Sequence, residues 1–222
     1  MSEKDTLCKK LFNAIVDGDS DAAREAVEKL LNLGVDAYSI VKECMIPAMK
    51  LVGDKFAKLE IFLPEVMMAA EAFEKCMKLI EPKILAEKKS ELVVGKVVIG
   101  TIQGDIHDLG KNIVALMLRA AGFEVYDLGR DVPVAEFVKK AKEVDADIIA
   151  ISALLSTSLP YVKDVIKLLK ELNLRDKYIL MVGGGAVTRE WAKEVGADGY
   201  GENADEAVKV ALELIEKKRK KK

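Results

Sequence analysis

The chain has 222 residues, of which 50% are hydrophobic, 32% charged and 5% aromatic. That supports a buried core, is too apolar for general disorder, and favours helices and parallel strands over a β-sandwich. Lys plus Arg (35) nearly balances Asp plus Glu (37), which argues against a dedicated nucleic-acid binder. The sequence holds one histidine, His107, so a multi-histidine zinc or iron site is excluded.

Met1 to Lys10 is charged and lacks an apolar stretch, so no signal peptide is expected. No apolar run approaches the ~18 residues of a membrane span, and the expectation is a cytoplasmic protein. Leu7, Leu11, Ala14 and Ile15 recur at helical spacing. Asp19-Ser20-Asp21 reads as an N-cap before a second helix that stops at Gly34. A third helix is predicted from about Asp36 to Phe56, kinked at Pro47, and a fourth from Pro64 to about Leu85. Together they predict an antiparallel four-helix bundle. The fourth helix is apolar nearly all round, from Val66, Met67 and Met68 through Phe73 to Ile80. It suits either a central bundle helix or a face for a large ligand or a second domain. Cys8, Cys44 and Cys76 are odd in number and widely spaced, giving neither a disulfide framework nor a CxxC site; three buried thiols are expected.

Glu87-Lys88-Lys89-Ser90-Glu91 reads as a charged linker and plausible hinge, dividing the chain into 1–90 and 91–222. Beyond it strands and helices alternate. Strands are predicted at Val97–Thr101, Phe123–Asp127, Asp147–Ser152, Tyr178–Val182 and Asp198–Gly201, with helices between and a last helix from Ala204. This pattern predicts an α/β fold with a doubly wound, five-stranded parallel sheet of flavodoxin-like order 2-1-3-4-5. The basic end, Lys217 to Lys222, is expected to be the solvated end of that helix, where cations suit the dipole; an anionic partner is the alternative.

In that strand order the loops after strands one, three and four line one edge, where such sheets bind ligands. The first, Gly104 to Asn112, holds the histidine; the second, Ser152 to Ser158, is rich in hydroxyls; the third is Gly183-Gly184-Gly185-Ala186. Neither GxGxxG, GxxxxGK[ST] nor GxSxG fits the relevant loops, which argues against dinucleotide, nucleoside-triphosphate and serine-hydrolase chemistry. The glycine run suits close backbone approach to a ligand or merely a tight turn. An Asp two residues before a His can bond one imidazole nitrogen and aim the other outward. On these residues alone His107 is a loop histidine with a local bond, a general base, or a single metal ligand whose metal draws its other ligands elsewhere, as from a macrocycle.

Asp105-Ile106-His107-Asp108-Leu109-Gly110 resembles the DxHxxG signature of cobalamin-binding domains. Ser152-Ala153-Leu154 and Gly183-Gly184 resemble that family's other two motifs, in order and spacing. Val52 to Phe56 and Phe62 to Met67 resemble the helical cap of methyltransferase corrinoid proteins. The likeness runs from about residue 3 to residue 216 and is closest to the corrinoid proteins of methylamine, methanol and methoxylated-aromatic systems, which serve methanogenesis or acetogenesis.

The resemblance implies a Rossmann-like cobalamin-binding domain behind a helical cap, with cobalamin or a related corrinoid bound base-off. His107 would be the lower axial cobalt ligand, hydrogen-bonded by Asp105, with Ser158 completing a proton relay. Gly110 would let the chain pass close to the nucleotide tail. Ser152 and Leu154 would line its channel, and two of Gly183, Gly184 and Gly185 would approach its end. Met67, Met68 and Phe73 would cover the ring's other face. It implies a methyl carrier rather than an enzyme, with no catalytic residue of its own. Its partners would be a substrate-specific methyltransferase, an acceptor methyltransferase using a thiol or pterin, and a reductive activator. Alternatives are a cobalamin-dependent sensor, which would need an output domain, and the small subunit of an adenosylcobalamin mutase, which would not need the cap. A receiver-like domain would need an acidic site where this chain has Ser152-Ala153-Leu154.

Overall fold

The computed structural model describes residues 2–87 and 94–220. The chain divides after Glu87 into two compact units. Of the expected linker at 87–91, Glu87 ends a helix, while the rest and the expected boundary at residue 90 lie outside the described residues.

The first unit is helical: α1 (Glu3–Val16), α2 (Ser20–Asn32), α3 (Ala37–Ile40), a π turn (Val41–Met45), α4 (Ile46–Ala57) and α5 (Leu63–Glu87). Side chains that match the free N–H groups of a first turn set the starts. Ser2 and Asp5 form a capping box on α1, and the Asp19 carboxylate accepts the Ala22 N–H at 2.9 Å on α2. The third predicted helix is one run from Ala37 to Ala57, interrupted by the π turn rather than a simple kink. Pro47 has no N–H to give and its ring would press on the carbonyl four residues back. The wider turn just before it, closed by Ile46 N–H to Val41 C=O, takes up the mismatch.

The expectation of three buried thiols is corrected. Cys8 and Cys44 form a disulfide across 36 residues, with Cα atoms 5.3 Å apart. The physical reason is the packing of α1 against the π turn, which no cysteine spacing reveals. Cys76 is a buried free thiol, and burial pushes it up to about 12.

In the second unit the order is β1 (Gly95–Thr101), α6 (Leu109–Ala120), β2 (Phe123–Asp127), α7 (Val134–Glu143), β3 (Ile148–Ser152), a 3-10 turn (Ser156–Ser158), α8 (Leu159–Glu171), β4 (Ile179–Gly183), α9 (Arg189–Val195), β5 (Gly199–Gly201) and α10 (Ala204–Lys220). Among the described residues five strands form one parallel sheet in the order β2-β1-β3-β4-β5. Strand side chains alternate between two apolar layers. Val98, Ile149, Ile151 and Leu180 pack with Phe137 of α7 and Val165 of α8. Val97, Ile148, Ala150 and Met181 pack with Leu118 of α6 and Ala211 of α10. Both faces are therefore covered, as a parallel sheet requires.

The basic end of α10 is more than a solvated terminus. Lys218 donates to the Lys177 carbonyl at 2.8 Å and Arg219 to the Val94 carbonyl at 2.7 Å. These bonds tie the helix to the start of β1 and to the loop that leads into β4. No helix among the described residues is long and apolar enough to cross a membrane.

Candidate corrinoid site

Because β1, β3 and β4 are neighbours, the loops leaving their carboxyl ends share an edge. Asp105 joins two of these loops. Its carboxylate is buried; Oδ1 accepts the His107 backbone N–H at 3.0 Å and lies 2.7 Å from His107 Nδ1. Oδ2 accepts the N–H groups of Leu154 and Leu155 at 2.6 and 3.0 Å. Burial works to raise the Asp105 pKa. The bonds from the His107 backbone, the His107 ring, Leu155 and Leu154 outweigh it, and the carboxyl lies below the usual range.

A carboxylate against Nδ1 calls for a proton on that nitrogen, which leaves the lone pair of a neutral ring on Nε2. The ring is half open, with 48% of its side chain exposed. Among the described residues no three His, Cys, Asp or Glu side chains converge to hold a metal ion. A metal at Nε2 would take its other ligands from elsewhere.

Ser158 is not brought onto Asp105. It is buried, and its hydroxyl donates to the Leu155 carbonyl at 2.7 Å. It closes the 3-10 turn, and the relay expected for it has no hydrogen bond from this hydroxyl to the Asp105 carboxylate, which is met instead by the Leu155 N–H.

The other two loops interlock. Ser152 ends β3, paired with Thr101 on one side and Gly183 on the other. Gly184 has φ 102°, and a Cβ there would lie 2.4 Å from the Ala153 carbonyl oxygen. Gly185 faces Leu154, whose Cδ1 would be 2.7 Å from an added Cβ. Backbone packing thus demands Gly184, whereas at Gly185 the exposed Leu154 side chain could turn aside. Gly110, in the first turn of α6, differs: an added Cβ would meet nothing within 4 Å. Its backbone is bare toward open space. Exposed Ile106, Leu154 and Leu155 give the edge an apolar rim.

In the helical unit Met67 and Met68 are exposed on α5, beside exposed Leu63, Phe62 and Leu59. Phe73 is a correction: it is fully buried in the bundle, because its position on α5 faces inward with Ala69, Ala72 and Cys76. It presents no surface to a ligand.

Sequence reasoning missed Thr101, Lys111, Asp127 and Asp131. Thr101 is buried in β1 and donates its hydroxyl to the His107 carbonyl at 3.0 Å. Lys111 is buried against Asp127, 2.6 Å from each carboxylate oxygen. A lysine in an amphipathic helix ordinarily reads as solvated, so only its place just after the histidine loop could have raised suspicion.

Residues 95–209 match the B12 binding domain family, and residues 7–81 match a second B12 binding domain family. Dimethylamine corrinoid protein 1 of Methanosarcina mazei is 45% identical over 215 residues, covering 97% of this chain and 99% of the relative. The chain belongs to the B12-binding corrinoid proteins. The monomethylamine corrinoid protein of Methanosarcina barkeri shares the fold of this corrinoid protein at TM-score 0.88 and 38% identity, over 95% of this chain and 99% of that one. The methanol:cobalamin methyltransferase complex MtaBC of Methanosarcina barkeri matches at TM-score 0.53 and 31% identity, over 96% of this chain and 80% of that one.

The residues fit the cofactor the family name implies. A single half-exposed imidazole held by a buried carboxylate suits a metal that brings its own macrocycle, and the open space at Gly110 suits a group lying against the backbone.

Proposed function

We propose that this corrinoid protein carries a methyl group between two methyltransferases, one specific for a methylated substrate and one serving a thiol or pterin acceptor. The single observation that carries the reading is the Asp105–His107 contact of 2.7 Å, in a chain that aligns end to end with methylamine corrinoid proteins. A bound corrinoid supplies the cobalt that takes and gives the methyl group; the protein supplies orientation and electrostatics.

His107 would offer Nε2 to the cobalt of a corrinoid bound base-off. Asp105 would hold the proton on Nδ1, keeping the ring in one tautomer with the Nε2 lone pair directed outward. The same carboxylate would hold the ring in this orientation whether or not Nε2 is engaged by a metal. Gly110, Ser152, Leu154 and Gly183 border the nucleotide tail. Gly184 keeps the neighbouring loop close enough to do so, and Gly185 extends the bare backbone beside it. Met67 and Met68 are exposed on the helical unit and would suit an apolar corrin face, as adaptable thioethers do. On this reading residues 1–90 act as a cap and 91–222 as the binding domain of a cytoplasmic carrier that is not itself the catalyst. A reductive activator would restore cobalt that has been oxidised.

The test uses the corrinoid-loaded chain, a methylamine-specific methyltransferase, an acceptor methyltransferase and a methylated amine. Methylated thiol or pterin should form only when the chain is present. Failure with every methylated donor would favour the sensor reading instead.

A further inference from the structure

The loop after β2 matches no motif, yet it holds the histidine loop from behind. Asp131 is exposed and lies at φ 52°, in the left-handed region sparsely used by residues with a side chain. In that conformation its N–H donates to the Asp105 carbonyl at 2.9 Å. Its Oδ1 accepts the Gly104 N–H at 2.8 Å, across 27 residues. One exposed residue thus clasps the two-residue segment Gly104-Asp105 at its first N–H and its last carbonyl.

A second arm reaches the other end of the motif. Buried Lys111 places Nζ 2.6 Å from both Asp127 oxygens and from Asn112 Oδ1, using its donors fully. Asp127 Oδ1 accepts the Gly129 N–H at 2.8 Å, and the Gly129 carbonyl accepts the Thr101 N–H at 2.9 Å. Thr101 Oγ1 in turn donates to the His107 carbonyl. The 105–107 segment is therefore tied at both ends to residues 127–131.

We propose that Asp131 is a positioning residue, setting the Asp105 backbone so that its carboxylate meets both His107 Nδ1 and the Leu154 and Leu155 amides. Aspartate tolerates the left-handed conformation better than most residues, and here that conformation lets one residue reach the Asp105 carbonyl with its N–H and the Gly104 N–H with its carboxylate. The proposal rests on the reading of Asp105 and His107 as the corrinoid-binding pair, but its main readout needs no corrinoid.

The test compares wild type, Asp131→Gly and Asp131→Asn in the full chain by amide hydrogen exchange. Glycine accepts the positive φ without strain and removes only the acceptor; asparagine keeps both. In Asp131→Gly the Leu154 and Leu155 amides should exchange about fivefold to tenfold faster, the worth of one loosened hydrogen bond. Ile149 and Ile151, in β3, should keep their rates, and Asp131→Asn should behave as wild type. Cobalamin affinity should fall about tenfold in the glycine variant alone. Unchanged exchange in Asp131→Gly, equal loss in Asp131→Asn, or equal acceleration at Ile149 and Ile151 would overturn the proposal. A wrong ligand assignment for His107 would instead show in corrinoid spectra and leave the exchange result standing.

Discussion

Asp105 Oδ1 lies 2.7 Å from His107 Nδ1, while Oδ2 of the same carboxylate accepts the Leu154 and Leu155 amides. One buried group therefore fixes the imidazole and the neighbouring loop together. Asp105→Asn should disturb both. An amide can accept on one side only, so either the ring or the Leu154–Leu155 turn loses its partner. Corrinoid affinity is expected to fall about 10- to 100-fold and apo stability by about 1–3 kcal/mol. Absorbance titration and thermal melts check the two numbers separately.

The same carboxylate predicts a pH dependence. Its folded pKa is depressed by its hydrogen bonds despite burial. A depressed carboxyl binds fewer protons folded than unfolded, so stability rises with pH through that window. Its contribution is fully present above the unfolded value of about 3.9 and is lost as the pH falls through the folded one. Denaturant melts of wild type and Asp105→Asn should therefore differ most above about pH 5 and converge in acid. A difference that grows on acidification would contradict this.

Two glycines of the proposed site should behave oppositely. Gly184→Ala places a Cβ 2.4 Å from the Ala153 oxygen at φ 102°; strain and overpacking should cost about 3 kcal/mol or more. Gly110→Ala meets open space in a helix, where alanine is favoured by up to about 1 kcal/mol. Its apo melting point should hold or rise while corrinoid affinity drops. An apo loss in Gly110→Ala, or unchanged affinity, would remove that glycine from the site.

The Cys8–Cys44 bond closes a loop of 36 residues, worth about 3–4 kcal/mol in the chain-entropy picture. Cys8→Ser should lower the helical unit's stability by about that amount, as should a reductant acting on wild type. Without reductant, alkylation of the native chain should spare all three cysteines, since Cys76 is buried with its thiol pushed up to about 12. Ready labelling of Cys8 would contradict the pairing.

The sheet was legible because periodicity and punctuation agree: short apolar runs between amphipathic helices leave little freedom in strand order, and β1, β3 and β4 fall side by side as expected. The Asp105–His107 contact was legible because it is local, two residues apart. What escaped depends on tertiary contact. Cys8 meets Cys44 only through helix packing. Asp131 reaches Gly104 across 27 residues. Ser158 turns to Leu155 and not to Asp105 because the 3-10 turn folds its hydroxyl back onto its own carbonyl neighbour. That Phe73 faces the bundle was not legible because an all-apolar helix gives no sequence cue to which side is outward.

The single histidine makes the central claim directly measurable. Growth with ¹⁵N-histidine labels imidazole nitrogen at residue 107 and nowhere else. The labelled chain, loaded with cob(II)alamin, is read by electron paramagnetic resonance, where an axial nitrogen splits the cobalt lines. With His107 as the ligand, the ¹⁴N triplet of the unlabelled protein should become a doublet. A triplet that survives labelling, or the absence of any axial nitrogen splitting, would contradict the assignment of His107 as the cobalt ligand.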